Sequence, residues 1–299
     1  MLHKLVIAML PIFGLWTQSL PNRPDSFHFA VIGDSGTGGR GQYDIGILLA
    51  RYQETSPFKT VVMLGDNIYG SDTPRDFVRK FELPYQALLE RGVKFYAALG
   101  NHDSPRQASY KLFNMGGKRY YTFRPRHGIR FFALDSTLMN RAQLEWLRKE
   151  LADSGSDWKI AYFHHPLYSS GARHGSDIEL RSALQPLFVK YHVALVLAGH
   201  DHFYERIKPQ QGIHYFVVGN SAKLRPGNVR RTSLTAKAYD RGLSFALMEI
   251  DGDTLHFQVI NHNGVTVDGG SFRRPDAEVP SSAADGETSG RQPIARERP

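Results

Sequence analysis

The residues able to do chemistry fall into five short clusters: Gly33-Asp34-Ser35-Gly36, Gly65-Asp66-Asn67-Ile68-Tyr69, Gly100-Asn101-His102-Asp103, His164-His165-Pro166 and Gly199-His200-Asp201-His202. They offer carboxylates, imidazoles, a carboxamide oxygen and a phenol, hard to borderline donors that suit iron, zinc or manganese. Two such ions roughly 3.5–4 Å apart can clamp both the attacking and the leaving oxygen of a phosphate, and one carboxylate must then bridge them. His200 and His202 flank Asp201. On an extended segment residues two apart point the same way, so both imidazoles are expected to face one metal pocket while Asp201 points away. Taken singly, each cluster has an ordinary reading: Asp34 as a helix cap, Gly65-Asp66-Asn67 as a turn, His164 as a core histidine. As an ordered set, chance explains them poorly.

The elements that must position these clusters are legible from hydrophobic periodicity. Phe27–Ile32, Thr60–Leu64, Lys94–Leu99, Ile129–Leu134, Trp158–His164, Val193–Ala198, His214–Val218, Leu243–Ile250 and Thr254–Ile260 read as strands, the last two joined by a turn at Asp251-Gly252-Asp253. Gln42–Gln53, Pro74–Leu89, Asn140–Leu151 and Ser176–Val189 carry helical spacing. Each cluster stands just past the carboxyl end of a strand, the edge where α/β sheets bind ligands. The expected fold is therefore α/β, two packed mixed sheets flanked by helices in four αββα layers, with no internal repeat or linker.

Composition limits the alternatives. The 299 residues include no cysteine, which excludes disulfides, thiolate metal sites and cysteine nucleophiles. The net charge of +8 permits an anionic partner without naming one, and no basic block interleaved with aromatics points to nucleic acid. Residues 1–20 carry Lys4, an apolar stretch from Leu5 to Leu15 and small residues after it, the form of a secretory signal peptide; an uncleaved arm packed on the body is the competing reading. The stretch is too short for a stable membrane span. Residues 275–299 read as a disordered tail whose five acids against three arginines give −2, leaving +10 upstream.

The ordered set GDSG, GDNIY, GNHD, HHP and GHDH resembles the calcineurin-like binuclear metallophosphoesterases, and Tyr69 makes it similar to their purple acid phosphatases, of the small, single-domain type. The resemblance runs from about Phe27 to Gly219, more weakly to Phe272, and implies a catalytic domain at 27–274. It places a first metal on Asp34, Asp66, Tyr69 and His202 and a second on Asp66, Asn101, His164 and His200, with Asp66 as bridge. Many relatives carry a histidine two residues after the first aspartate. Here that position is Gly36, and Tyr69 stands in for the imidazole, which implies Fe(III) beside divalent iron, zinc or manganese. His102 is implied to contact the substrate phosphate, and His174, ten residues after His164, to be the catalytic acid. Ser35 and His165 depart from the Trp and Tyr common in small members. Asp103 and Asp201 are either partners of neighbouring ligands or plain loop carboxylates, and Lys223 and Arg225 either line the mouth of the site or are solvated.

The expected activity is hydrolysis of small phosphate monoesters by an exported acid phosphatase, water at the metal pair being activated for in-line attack on phosphorus. A phosphodiesterase or nucleotide hydrolase on the same metal core is the alternative, and a noncatalytic metal-stabilised binding module the rival from another class. Oligomeric state is not legible.

Overall fold

The computed structural model describes residues 19–275. The expected signal peptide and tail therefore lie outside the described residues, apart from Ser19, Leu20 and Pro275. In chain order the elements are β1 (Phe27–Ile32), α1 (Arg40–Thr55), β2 (Thr60–Met63), α2 (Pro74–Phe77), α3 (Gln86–Glu90), β3 (Lys94–Ala97), β4 (Tyr121–Arg126), β5 (Ile129–Ala133), α4 (Arg141–Ala152), β6 (Trp158–Phe163), α5 (Ile178–Lys190), β7 (Leu195–Ala198), β8 (Tyr204–Gln210), β9 (Ile213–Val218), β10 (Thr235–Tyr239), β11 (Ser244–Asp251), β12 (Thr254–Asn261) and β13 (Thr266–Arg273). No described helix is long and apolar enough to cross a membrane.

Two mixed sheets result, as the sequence leads one to expect. The first runs β13-β12-β11-β1-β2-β3 and the second β10-β8-β9-β7-β6-β5-β4. β1, β2 and β3 are parallel neighbours, as are β5, β6, β7 and β9, so each sheet has a parallel block whose carboxyl ends share one edge. Period-two alternation builds the layers. On β5, Phe131 points into the sandwich and meets Phe29 edge to face at 5.1 Å, while the next residue, Phe132, joins the second core with Leu147 of α4 and Leu184 of α5. On β6, Tyr162 points inward and Phe163 stacks toward Phe188 of α5. Side-chain oxygens start both outer helices: Asn140 accepts from the Gln143 N–H at 3.0 Å, and Asp177 from the Leu180 N–H at 2.9 Å.

One expected helix is broken. Pro74–Leu89 forms α2, then a π turn over Val78–Glu82, then α3. Pro84 has no N–H to continue an α ladder, and the preceding turn widens so that the Leu83 N–H reaches the Val78 carbonyl at 2.9 Å. Strands β4, β8, β10 and β13 are additions to the expected set.

The inter-sheet aromatic layer should set global stability. Phe131→Ala is expected to lower the unfolding free energy by about 3–5 kcal/mol, read from urea denaturation with the Phe29→Leu variant for comparison. A loss below about 1 kcal/mol would show that this contact does not hold the sheets together.

Candidate metal centre

Three clusters leave the first sheet after β1, β2 and β3, and two leave the second after β6 and β7, so both parallel blocks deliver their polar residues to one edge. The loops are tied to one another. The Asp34 N–H donates to the Gly65 carbonyl at 3.1 Å, Gly36 N–H to the Asp66 carbonyl at 3.1 Å, and Tyr69 N–H to the Gly36 carbonyl at 2.9 Å. Asp34, Asp66 and His200 take left-handed backbone, with φ of 53°, 53° and 69°. That region is unfavourable for residues with a Cβ, and such strain concentrates at functional sites.

The side chains gather in two adjoining groups. In the first, donor atoms of Asp34, Asp66 and His202 lie within 4.8 Å of one another. His202 Nε2 is 3.4 Å from Asp34 Oδ1, and the Tyr69 hydroxyl donates to that same oxygen at 3.1 Å. In the second, Asn101 Oδ1 lies 2.9 Å from His164 Nε2 and 3.1 Å from His200 Nδ1, and the two ring nitrogens are 3.1 Å apart. Asp66 serves both groups, with its Oδ1 3.5 Å from His164 Nε2 and accepting from the His102 N–H at 3.0 Å. The His102 ring lies 5.0 Å from that of Tyr69, and the His174 ring 4.2 Å from that of His200. The structure thus brings Asp34, Asp66, Tyr69, Asn101, His164, His200 and His202 together, with His102 and His174 at the margins.

The donor set fits cations. His164 Nδ1–H donates to the Leu64 carbonyl at 2.9 Å, which leaves Nε2 a bare lone pair. Nε2 faces the Asn101 carbonyl oxygen, another acceptor, and one His200 N–H can serve only one of them. Electrostatics agrees. Burial, then the Asp66 charge, pushes the Asp34 carboxyl well up. Burial and both carboxylates raise the Tyr69 phenol. Burial pushes His164 well below the usual imidazole range and, with Arg225 and Lys223, takes His202 down to about 4. Neutral imidazoles and crowded carboxylates are what a cation would stabilise.

One sequence expectation needs correction. His200 and His202 do not lie on an extended segment facing one pocket: the left-handed His200 begins a tight turn, with Asp201 N–H donating to the Gly199 carbonyl at 2.8 Å, and the two imidazoles go to different groups. Asp201 does point away, to Ser169 Oγ at 2.5 Å. Asp103 is a partner of the loops, accepting from the backbone N–H groups of Asn67, Ile68 and Gly100 and from the Asn67 amide, all at 2.9–3.0 Å. Lys223 Nζ stands 3.7 Å over the Tyr69 ring, a cation–π contact rather than a solvated charge.

Two residues at the site were given no role there by the sequence. His165 joins His164 and His200 in the second group, its ring 4.5 Å from that of His200 and its Nδ1 bonded to Ser136 Oγ at 2.9 Å. Its adjacency to His164 was the available signal. Lys80 is buried on the π turn; its ammonium donates to the Tyr69 and Ser71 carbonyls at 2.6 and 3.0 Å and pairs with Asp76 at 2.9 Å. No spacing in the sequence marks it.

The depressed imidazoles give the metal-stripped protein a defined pH response. Among the described residues His28, His164, His165, His174, His200, His202 and His214 titrate below the usual range, against three raised carboxyls, Asp34, Asp103 and Asp201. The depressed histidines contribute stability that is present above the unfolded value of about 6.5 and is lost as pH falls. The raised carboxyls act in the opposite sense but are outnumbered. The urea midpoint of chelator-treated protein should fall from pH 7 to pH 4, and a flat or rising profile would contradict this balance.

Comparison with known proteins identifies the family. Residues 27–204 match the Calcineurin-like phosphoesterase family. Tartrate-resistant acid phosphatase type 5 of Oryctolagus cuniculus is 26% identical over 210 residues, covering 58% of this chain and 64% of the rabbit protein. The Fe(3+)-Zn(2+) purple acid phosphatase 12 of Arabidopsis thaliana is 29% identical over 234 residues, covering 69% of this chain and 48% of that one. The chain thus spans less than two thirds of the length of either relative. In fold, it superposes on the purple acid phosphatase from yellow lupin seeds with a TM-score of 0.66 at 20% identity, covering 85% of this chain and 55% of the other. It also superposes on GAP50, the anchor in the inner membrane complex of Plasmodium, with a TM-score of 0.73 at 18% identity, covering 85% and 90%. With the match beginning at β1, and strands β11 to β13 beyond its end completing the sheet that carries Asp34, the chain belongs to the calcineurin-like phosphoesterase family.

Proposed function

We propose that this protein hydrolyses phosphate monoesters at a binuclear metal centre, through a catalytic domain at residues 27–274 exported by the N-terminal leader. The observation that carries this reading is the convergence of His164 Nε2, Asn101 Oδ1 and His200 Nδ1 within 3.1 Å, beside the Asp34, Asp66 and His202 group, with Asp66 common to both. Asp34, Asp66, Tyr69 and His202 would hold one ion and Asp66, Asn101, His164 and His200 the other, the phenol favouring Fe(III) at the first and leaving iron, zinc or manganese for the second. Such ions, when bound, neutralise phosphoryl charge and lower the pKa of water.

The chain's own residues supply the rest. His102, exposed beside Tyr69, is placed to donate to a phosphoryl oxygen. Lys223 and Arg225 add positive charge on the His202 side that draws an anionic ester inward. His174, exposed beside His200, is placed to give a proton to the leaving oxygen. Its pKa is lowered, chiefly by partial desolvation. The GAP50 likeness raises a second reading, a binding module on the same fold. The full donor set here favours turnover.

Three measurements test this. Phenyl phosphate should be hydrolysed at least tenfold faster than a bis-ester; the reverse order would identify a diesterase, and no turnover of either by metal-loaded protein a binding module. Asp66→Ala should lose both ions and His164→Ala mainly one, by elemental analysis. Air-oxidised protein should absorb in the visible, and Tyr69→Phe should abolish the band. A colourless, active, two-zinc protein would refute the iron–phenolate assignment alone.

A further inference from the structure

The loop carrying His174 has no regular structure to fix it. It runs from the end of β6 to the start of α5, and a histidine that donates a proton must be held within hydrogen-bond reach of the leaving oxygen. Its ends are pinched together. Ser169 N–H donates to Ser176 Oγ at 3.0 Å, and Ser176 Oγ donates to the Ser169 carbonyl at 3.2 Å. Its outer side lies along residues 228–230, through Ala172 N–H to the Asn228 carbonyl and Arg230 N–H to the Ser170 carbonyl, both at 2.8 Å.

The inner side rests on Asp201. This fully buried carboxylate accepts with one oxygen, Oδ2, from Ser169 Oγ at 2.5 Å and from the backbone N–H of Gly175, the residue after His174, at 3.2 Å. That single atom touches both limbs of the loop. Gly171 packs so closely on the same group that a Cβ there would collide with all three carboxylate atoms. The second oxygen, Oδ1, is buried with no hydrogen-bond partner among the described residues. A buried carboxylate so incompletely satisfied is a poor stabiliser, which sets its geometric contribution apart from a stabilising one.

Asp201 also stands between His200 and His202, whose rings serve the two groups of the candidate metal centre. The turn is rigid: Phe203 N–H donates to the Asp201 carbonyl at 2.7 Å, and His200 N–H to Asp34 Oδ2 at 2.8 Å. We propose that Asp201 is a positioning residue that, through Ser169 Oγ and the Gly175 amide, fixes His174 relative to the turn bearing His200 and His202. The inference rests on the assignment of His174 as proton donor. One three-residue turn then sets both where the phosphate is held and where the proton is delivered.

The test compares an alkyl phosphate, whose leaving group needs a proton, with nitrophenyl phosphate, whose leaving group does not. Ser169→Ala, Gly171→Ala and Asp201→Asn are measured alone and combined with His174→Ala, with metal content and Gly175 amide hydrogen exchange followed in each. Misplacement of the imidazole should lower kcat on the alkyl ester by about 10- to 100-fold and leave nitrophenyl phosphate within about threefold. That loss should vanish in the His174→Ala background, metal content should hold, and Gly175 exchange should accelerate at least tenfold in Ser169→Ala and Asp201→Asn. Equal losses on both substrates, additivity with His174→Ala, metal loss in Ser169→Ala or unchanged Gly175 exchange would overturn the proposal. A wild type inactive on both monoesters would overturn the functional reading and, with it, the catalytic part of this inference, while the exchange result would still decide whether Asp201 holds the loop.

Discussion

Asp34 and Asp66 are buried side by side at the ends of adjacent parallel strands, and the repulsion between them is the constraint to which the rest of the molecule answers. Two carboxylates so placed cannot both ionise without compensation. Part of it is local: Asp34 accepts hydrogen bonds from the Tyr69 hydroxyl and the His200 N–H, and Asp66 accepts one from the His102 N–H. The remainder calls for a proton or a cation, and imidazoles kept neutral by burial stand beside the pair as further donors. Holding Asp34, Asp66 and His200 in left-handed backbone costs on the order of 1–3 kcal/mol each. The aromatic layer between the sheets, with Phe29, Phe131 and Tyr162 fully buried, is what offsets such strain.

The loops that carry these two aspartates leave no room for a side chain at position 36. A Cβ at position 36 would overlap the Asn67 backbone, because the two loops are hydrogen-bonded through Gly36 in both directions. Any side chain there would force apart the loops bearing Asp34 and Asp66. Tyr69, whose N–H is fixed by the Gly36 carbonyl and whose own carbonyl is held by Lys80, reaches Asp34 from further along the same loop. The π turn that places Lys80 belongs to the same arrangement.

The site was legible because its chemistry sits where periodicity is cleanest. Central parallel strands such as Thr60–Met63 and Leu195–Ala198 are buried along their whole length and read as apolar runs, each ending in a glycine-flanked polar cluster. The strands that escaped are edges or next to one. β4, β10 and β13 are edge strands; β4 carries Pro125, β13 carries Gly269-Gly270, and all three show a register shift against their neighbours. β8 buries Glu205 and contains Pro209, which breaks the apolar alternation. Edge strands owe their form to one partner rather than to their own pattern. Lys80 was illegible for a related reason, since only the Pro84 break, read in three dimensions, turns it onto the Tyr69 carbonyl.

The basic charge of the chain, diffuse in the sequence, acquires a local meaning at the centre. An imidazole can ligate a metal only while it is kept unprotonated. Burial does most of this for His164, whose second nitrogen is committed to the Leu64 carbonyl. His202 is nearer the mouth, and there Arg225 and Lys223 add to burial in driving its pKa down to about 4. Lys223 can stand so close because the Tyr69 ring receives its ammonium on the π face, and Arg225 because its backbone N–H is anchored to the His202 carbonyl at 3.1 Å. The cations that keep protons off His202 also make this side of the centre positive, so the neutral imidazole and the local field come from the same two side chains.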